Sequence, residues 1–156
     1  FEHLGIELKT LPLNIRLEPK ESTFVCHAPL SPSGGLSWQS SSVYQKLREV
    51  LWVPFEADPD LDMSQRRVGQ SFLWSPSVSE WSVLRRDWEE HMETISLGKF
   101  DEIDGRRGEY LQLRPKAYSS HARAATFDMD GDATQTNPRG FYLRTVFTRQ
   151  ILASNT

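Results

Sequence analysis

Alternating apolar and polar residues predict several short strands along the chain. Residues 5–10 alternate apolar side chains with the charged Glu7 and Lys9, and a period of two is typical of a strand. The same kind of pattern predicts further strands at 22–28, 50–55, 67–74, 108–114 and 140–147. The polar residues 14–21 predict a turn, so the first two strands are expected to form a hairpin. Pro54 is expected to mark the end of regular pairing in the third strand, because proline lacks the N–H that a ladder uses.

Helical spacing is clearest in the segment that begins at Ser77. Glu80 follows this serine by three residues, which is the spacing of a capping box. Apolar residues then recur at helical spacing until a stop signal at Gly98. They are Trp81, Leu84, Trp88, Met92 and Ile95. A shorter helix is predicted within 40–49, and Thr148 is expected to cap a terminal helical turn.

The order of these elements predicts one α/β domain over residues 1–156, with a mixed β-sheet flanked by helices. Loops are predicted at 32–35 and at 116–137, and no repeat or linker divides the chain. Within the longer loop, residues 128–132 resemble a calcium-binding loop. The glycine falls one place early, however, and Arg139 stands where the closing Glu would be. A solvated turn is therefore expected there.

The charges are unevenly distributed along the chain, although the net charge is only −3. Residues 56–104 carry 12 Asp and Glu against 5 Lys and Arg. Residues 105–156 carry 8 Lys and Arg against 4 Asp and Glu. A basic carboxy-terminal third permits contact with a polyanion such as DNA, although many solvated surfaces have a similar balance.

The lone Cys26 excludes a disulfide framework, and its apolar neighbours favour a place in the core. The lone cysteine also leads us to expect a reduced, cytosolic setting. The sequence shows neither a basic-then-apolar leader nor an apolar run long enough to cross a bilayer. The four histidines show no metal-ligand spacing to one another or to this cysteine, so no zinc site is expected.

The segment with the clearest chemistry is Glu7-Leu8-Lys9. Residues i and i+2 of a strand share a face, so the carboxylate and the ammonium group are expected to project side by side. The carboxylate and the backbone carbonyl of Leu8 could ligate Mg²⁺, and Lys9 could orient water that attacks a phosphate. The alternative is a charged pair on the solvent face of a strand, which is a common arrangement.

Three groups of segments resemble the MutH family, the strand-nicking endonucleases of methyl-directed DNA mismatch repair. They occur in the family's order and spacing and cover the chain from Phe1 to about Leu152. The groups are 4–12 with 21–26, 65–69 with 73–76 and 87–90, and 108–117 with 138–144. The resemblance implies the core of type II restriction endonucleases, a mixed sheet flanked by helices.

The resemblance implies a role for individual residues of a catalytic site. Glu7 and Lys9 match the family's Glu-x-Lys, as metal ligand and water-orienting lysine, and Lys46 matches a lysine that assists cleavage. Near Lys46, Ser42 and Tyr44 stand where the family tends to carry His and Arg, which is expected to weaken phosphate contacts.

It also implies a DNA-binding set. Arg114 matches the arginine that reads the major groove, and the next two residues, Pro115 and Lys116, belong to the same DNA-contacting segment. Tyr142 matches the tyrosine linked to sensing adenine methylation. Phe24 matches an aromatic residue beside the bound site, with core packing as the alternative. Arg139, in the basic carboxy-terminal stretch, is also expected to contact DNA.

The implied function is Mg²⁺-dependent nicking of the unmethylated strand at a hemimethylated GATC site in double-stranded DNA. A MutL-type mismatch-repair ATPase is implied as the activator. The protein is expected to act as a monomer in the bacterial cytoplasm, at the nucleoid when bound to DNA. In the family an Asp directly precedes the position of Phe1 and supplies a second carboxylate. Residues 1–156 are therefore expected to lack the family's amino-terminal portion and to be inactive alone.

Two other functions remain open at this point. One is a GATC-type restriction endonuclease of the same fold, which would cut fully unmethylated DNA on both strands without an activator. The other is a non-catalytic DNA-binding module, which would bind DNA with a steep dependence on salt and show no response to Mg²⁺.

Overall fold

The computed structural model describes residues 2–31, 36–116 and 121–156. The loop predicted at 32–35 lies outside these residues. Eight strands are present in the described ranges: β1 (Glu7–Leu13), β2 (Thr23–His27), β3 (Val50–Glu56), β4 (Phe72–Trp74), β5 (Leu111–Pro115), β6 (Ala124–Phe127), β7 (Ala133–Thr136) and β8 (Arg139–Leu143). The helices are α1 (Ser42–Leu47), α2 (Val78–Ser96) and α3 (Thr145–Ser154), with short 3₁₀ turns at Glu2–Leu4, Met63–Gln65 and Phe100–Glu102.

The described strands form three separate ladders, of which the first two are three-stranded sheets and are called the first and the second sheet. The first has the order β1-β3-β4 and is mixed, since β1 runs parallel to β3 and β4 runs antiparallel to it. The second, β2-β8-β5, is antiparallel throughout, and β6 pairs with β7 in a small hairpin. Strands combined with packed helices confirm the mixed α/β class.

The expected hairpin of β1 and β2 is wrong, because the two strands belong to different ladders. The turn between them closes on itself: the Asn14 N–H donates to the Glu18 carbonyl at 2.9 Å, and Leu13 bridges to Pro19. The chain then leaves for the second ladder, where Phe24 pairs with Tyr142. Residues 14–21 therefore do form a turn, but the turn does not join neighbouring strands.

Pro54 lies within β3 rather than at its end. Pairing with β1 continues past it, with Leu11 opposite Pro54 and Leu13 opposite Glu56. On the other side, pairing with β4 stops at Trp52, so no β4 residue needs an N–H from the proline. The Pro54 carbonyl still accepts from the Gly69 N–H at 2.8 Å. A proline is tolerated here because the regular β3–β4 ladder, which would use its N–H, ends before it.

The other predicted strands differ mainly at their ends. β4 covers Phe72–Trp74 instead of 67–74, with an isolated bridge between Phe55 and Val68 before it. The last strand ends at Leu143, where 140–147 was predicted.

The chain becomes helical at Thr145, since α3 places Phe147, Thr148 and Ile151 in the core at helical spacing. Arg144 is the residue at the N-cap position, so the expectation of a Thr148 cap is wrong.

The segment predicted as a loop over 116–137 contains the β6–β7 hairpin. Its strands are mostly exposed and carry Ala and Thr, so they lack the apolar alternation by which a strand is recognised. The turn between them is solvated, as predicted: Asp128 Oδ1 accepts from the N–H groups of Asp130 and Asp132, and Gly131 has φ +84°.

Helix α2 confirms its predicted cap, and the helices bury a rich aromatic core. The Ser77 side chain accepts from the Glu80 N–H, and Glu80 accepts from the Ser77 N–H, which completes the capping box of α2. On α3, Phe147 packs between Trp74, at 5.9 Å between ring centroids, and Tyr110, at 4.0 Å. Among the described residues, no helix combines the length and apolar character needed to span a membrane.

Candidate active site

β1 brings Glu7 and Lys9 to the same face of the first sheet, as predicted from their spacing. The Lys9 ammonium lies 3.4 Å from Glu7 Oε1, and its side chain is only 7% exposed. Its closer partner is the backbone carbonyl of Phe24 in the other sheet, at 2.9 Å. Lys9 is therefore held between the two sheets and is not a solvent-facing charge.

Lys46 joins this pair from α1, 39 residues away in sequence. Its ammonium lies 3.1 Å from Glu7 Oε1 and 3.4 Å from Oε2. One carboxylate thus meets two ammonium groups, and the cluster carries a net positive charge. Ser42 and Tyr44 are the two residues expected to weaken phosphate contacts near Lys46. The Tyr44 ring packs against Trp81, at 4.9 Å between ring centroids.

Burial lowers the pKa of Lys9 from the ordinary value of a lysine, and the second ammonium at Lys46 adds to the effect. The charge and hydrogen bond of Glu7 oppose this shift without cancelling it. A lysine with a lowered pKa exchanges a proton with water more readily than a free lysine does.

The Leu8 carbonyl belongs to the unpaired edge of the first sheet. The Glu7 N–H donates to the Glu49 carbonyl at 2.9 Å, so Glu7 uses its backbone groups toward β3. Successive residues of a strand alternate in this respect, which turns the Leu8 carbonyl away from β3. Among the described strands, β3 is the only partner of β1 in its ladder. This carbonyl therefore remains available as an oxygen donor beside the Glu7 carboxylate.

These donors fit Mg²⁺ in kind, because a carboxylate and a carbonyl are the hard oxygen ligands that this ion prefers. They fill only part of an octahedral shell. Among the described residues, no group of three His, Cys, Asp or Glu side chains is arranged to hold a metal. Water, a bound phosphate and further oxygen donors would have to complete the shell, and Lys46 would have to yield its place on Glu7.

A bulge in β2 gives Lys9 its carbonyl partner. Phe24 pairs with Tyr142 and Cys26 pairs with Phe141, which leaves Val25 without an opposite residue. Bulges locally disrupt the ladder and re-aim the residues beside them. The Phe24 ring meets the Tyr142 ring edge-on at 5.3 Å. Phe24 is thus in contact with the catalytic candidates through its backbone and with the DNA-binding candidates through its ring.

Arg114 and Lys116 lie over these two rings. The Arg114 guanidinium carbon is 5.5 Å from the centroid of Tyr142, and the Lys116 ammonium is 4.5 Å from that of Phe24. Both distances are typical of cation–π contacts. Arg114 also donates to the Ser22 hydroxyl at 2.6 Å.

These side chains line a cleft of about 830 Å³ between the two sheets. Among the described residues that line it, five are cationic and one, Glu21, is acidic, which gives a net charge of +4. The cations are Lys9, Lys20, Arg66, Arg114 and Lys116. A chain with a negative net charge therefore concentrates positive charge in this cleft, as a surface that binds a polyanion requires.

Sequence reasoning missed Lys20 and Arg66, which lie on the wall of the cleft away from β5. Each donates to a backbone carbonyl near the acidic loop, to Ala57 and to Leu61 respectively. Their neighbours Glu18 and Asp62 make these stretches look like ordinary solvated turns. No local pattern marks either residue as part of a cleft.

Arg139 and Pro115 behave differently from each other, although they are paired in the β5–β8 ladder. Pro115 lines the cleft, whereas Arg139 lines a separate hollow of about 310 Å³ beside His27 and Ala124. Burial lowers the pKa of Arg139, and its Nη2 lies 3.4 Å from the Thr136 hydroxyl. The structure therefore does not bring Arg139 together with the other predicted DNA-binding residues.

Asp87 of α2 fixes the strand that carries Arg114. Its side chain is 1% exposed, and Oδ2 accepts from the N–H groups of Glu109, Tyr110 and Leu111 at 2.9, 2.7 and 3.0 Å. One turn further, His91 Nε2 donates to the Leu111 carbonyl at 2.9 Å. The entry to β5 is thus clamped to the long helix.

Comparison with known proteins agrees with this arrangement. The family model described as "DNA mismatch repair enzyme MutH" matches residues 1–87. DNA mismatch repair protein MutH of Shewanella sp. (strain W3-18-1) is 50% identical over 152 residues, which are 97% of this chain and 68% of that protein. The protein of the same name from Shewanella baltica (strain OS185) is 51% identical over the same shares. The chain belongs to the MutH family of DNA mismatch repair enzymes. Its mixed α/β architecture agrees with the restriction endonuclease-like core of the MutH family.

Proposed function

We propose that this MutH-family chain nicks the unmethylated strand of hemimethylated GATC sites with the help of Mg²⁺. The family is one of mismatch-repair endonucleases; the site, the methylation state and the metal are what we add. The observation that carries the proposal is the cluster of Glu7, Lys9 and Lys46 beside a cationic cleft lined by Arg114 and Lys116. In this proposal residues 1–156 belong to one endonuclease domain.

Double-stranded DNA lies in the cleft, where its phosphates meet the cations Lys20, Arg66 and Lys116. Neutralising phosphates releases condensed counterions, so affinity falls steeply as salt rises. Lys20 and Arg66 hold the backbone from one wall, and Lys116 holds it from the other. These contacts position the duplex without reading its sequence.

Arg114 reads a guanine through the bidentate contact for which a guanidinium is suited, worth about 1–3 kcal/mol of discrimination. Tyr142 lies directly beneath it, at 5.5 Å from the guanidinium carbon to the ring centroid. In this position a methyl group on a neighbouring adenine would press on the tyrosine ring. This contact would let the protein discriminate methylated from unmethylated strands. Phe24 supports the ring from the side, and Pro115 completes the wall.

The chain's own residues divide the chemistry between them. Glu7 and the Leu8 carbonyl would hold Mg²⁺, which when bound would polarise the scissile phosphate and lower the pKa of a coordinated water. Lys9, fixed by the Phe24 carbonyl, orients the attacking water and, in its neutral form, accepts the proton that this water loses. Lys46 leaves Glu7 for a phosphate oxygen as DNA enters. In-line attack by the water forms a new P–O bond and breaks the P–O3′ bond. The leaving 3′-oxygen takes a proton from solvent, so the products carry a 5′-phosphate and a 3′-hydroxyl.

The activator in this proposal is a MutL-type mismatch-repair ATPase, and the protein works in the cytoplasm at the nucleoid. The cluster of Glu7, Lys9 and Lys46 contains one carboxylate and two ammonium groups. Nicking without the activator is therefore expected to be slow. A partner that favours the DNA-bound arrangement of Lys46 would accelerate it.

The test is a strand-resolved nicking assay on duplexes that hold a single GATC site in its unmethylated, hemimethylated or fully methylated form. The two strands carry different fluorophores, and the reactions contain Mg²⁺ with the activating ATPase. The protein carries this chain with the further sequence by which the curated relatives exceed it. We expect nicks in the unmethylated strand alone. Arg114→Ala should abolish the preference for GATC, while Arg85→Ala, which alters an exposed arginine on α2, should preserve it.

Two results would contradict the proposal. Double-strand cutting of unmethylated DNA without the ATPase would instead favour a restriction endonuclease. Salt-sensitive binding without any nick would favour a binding module.

A further inference from the structure

Arg114 is a long side chain on the wall of an open cleft, and such a side chain loses rotamer freedom when it binds a base. Reading a guanine requires the planar guanidinium to meet two acceptors at once, so its orientation matters as much as its charge. A group that fixes the guanidinium before DNA arrives would therefore raise affinity for the cognate base in particular.

The side chain of Arg114 crosses the face of the second sheet. It starts on β5, passes over Tyr142 of the central strand β8, and ends with Nη1 at 2.6 Å from the Ser22 hydroxyl, which directly precedes β2. Gly140, opposite Arg114 in the ladder, leaves the room for this layer: a Cβ there would lie 2.8 Å from the Phe24 ring.

We infer that Ser22 is a specificity-determining positioning residue, whose hydroxyl anchors Nη1 of Arg114 and aligns the guanidinium for base reading. The inference rests on the proposed role of Arg114. An arginine has donors along two edges, so a bond from Nη1 to the serine leaves the edge formed by Nε and Nη2 for the two acceptors of guanine. Tyr142 fixes the plane of the group, and Ser22 fixes its rotation within that plane.

A serine that only closes a turn would have a different effect. It would lower stability, or weaken binding to every duplex alike, because phosphate contacts are indifferent to sequence. A positioning serine acts through Arg114, so its loss should weaken binding to the cognate site alone. Its effect should also vanish when the arginine is absent, since neighbouring residues in one network are not additive.

The experiment measures equilibrium binding of the full chain by fluorescence anisotropy, without divalent metal. One duplex carries GATC, and the other has its G·C pairs replaced by A·T. Ser22→Ala should lower the ratio of cognate to altered affinity by roughly three- to ten-fold, and Ser22→Thr, which keeps the hydroxyl, should restore it. In the Arg114→Ala background, Ser22→Ala should change nothing further. Ser82→Ala, at an exposed serine of α2, is the matched control.

The outcomes separate this inference from the proposed function. If Arg114→Ala collapses the ratio while Ser22→Ala leaves it within about two-fold, the positioning role is overturned and the proposed function stands. An equal loss on both duplexes also overturns it. If Arg114→Ala leaves the ratio unchanged, the base-reading arginine itself is wrong, and the inference fails with it. Thermal melting of each variant confirms that the compared proteins are folded.

Discussion

Replacing Asp87 by alanine should destabilise the protein more than any exposed acid-to-alanine change on the same helix. The Asp87 carboxylate is 1% exposed and binds three consecutive backbone N–H groups within 2.7–3.0 Å. Its removal leaves those donors inside the protein, at the entry to the strand that carries Arg114.

The size of the effect follows from this geometry. A hydrogen bond to a charged group contributes about 1.5–3 kcal/mol, and an orphaned buried donor costs about 1–3 kcal/mol. Three such bonds are not additive, and removing the carboxylate also removes the cost of burying it. We therefore expect Asp87→Ala to lower the free energy of unfolding by about 3–5 kcal/mol, within a typical total of about 5–15 kcal/mol. Asp87→Asn keeps an acceptor oxygen and should lose about 1–2 kcal/mol.

Urea unfolding followed by tryptophan fluorescence measures this difference, because Trp74 and Trp88 are buried in the core. Glu93→Ala, at an exposed acid of α2, is the control and should stay within about 0.5 kcal/mol of the parent protein. If Asp87→Ala also stayed within 1 kcal/mol or so, the three hydrogen bonds would not be what holds β5 to the helix.

Three further predictions concern single groups. Burial lowers the pKa of His91 below its ordinary 6.5, so the unfolded chain binds the proton more readily than the folded protein does. The free energy of unfolding should therefore be highest above that pH and should fall as the pH is lowered below it. Urea midpoints measured on both sides of that pH should fall less for His91→Asn than for the parent protein. Burial raises the pKa of the Cys26 thiol to about 11, so iodoacetamide at mildly alkaline pH should label it only as fast as the protein unfolds; mass spectrometry that found rapid labelling of the folded protein would oppose this. Gly108 has φ +88°, and a Cβ there would collide with the Leu111 carbonyl. Gly108→Ala should therefore lower the free energy of unfolding, measured in urea, by about 2–4 kcal/mol. Gly131 has open space around it, so Gly131→Ala should lower the free energy of unfolding by less.

Local features of the fold were predictable because the signals are themselves local. The pairing of Glu7 with Lys9 follows from strand periodicity, and the start of α2 follows from a serine and a glutamate three residues apart. Strand partners were not predictable in this way. Nothing near β1 indicates that it pairs with β3 in parallel while β2 joins β8, since that choice depends on contacts between residues far apart in sequence.

The candidate site divides along the same line. Lys46 reaches Glu7 from 39 residues away, and only the family resemblance pointed to it. Asp87 lies among charged residues of α2 and looks like part of a solvated face, yet it is buried. Ser22 contacts Arg114 across 92 residues, and a lone serine carries no signal of such a partner. The roles of Asp87 and Ser22 can be identified only from the geometry of the folded chain.

The most direct test of the account is whether Lys9 is required for Mg²⁺-dependent nicking at a hemimethylated GATC site. The protein carrying this chain with the further sequence of its relatives is compared with its Lys9→Ala variant, and both are first shown to bind the duplex equally. The account predicts that only the unaltered protein nicks the DNA, and that omission of Mg²⁺ abolishes this activity. Equal nicking by the two proteins would contradict the assignment of Glu7, Lys9 and Lys46 as the catalytic cluster.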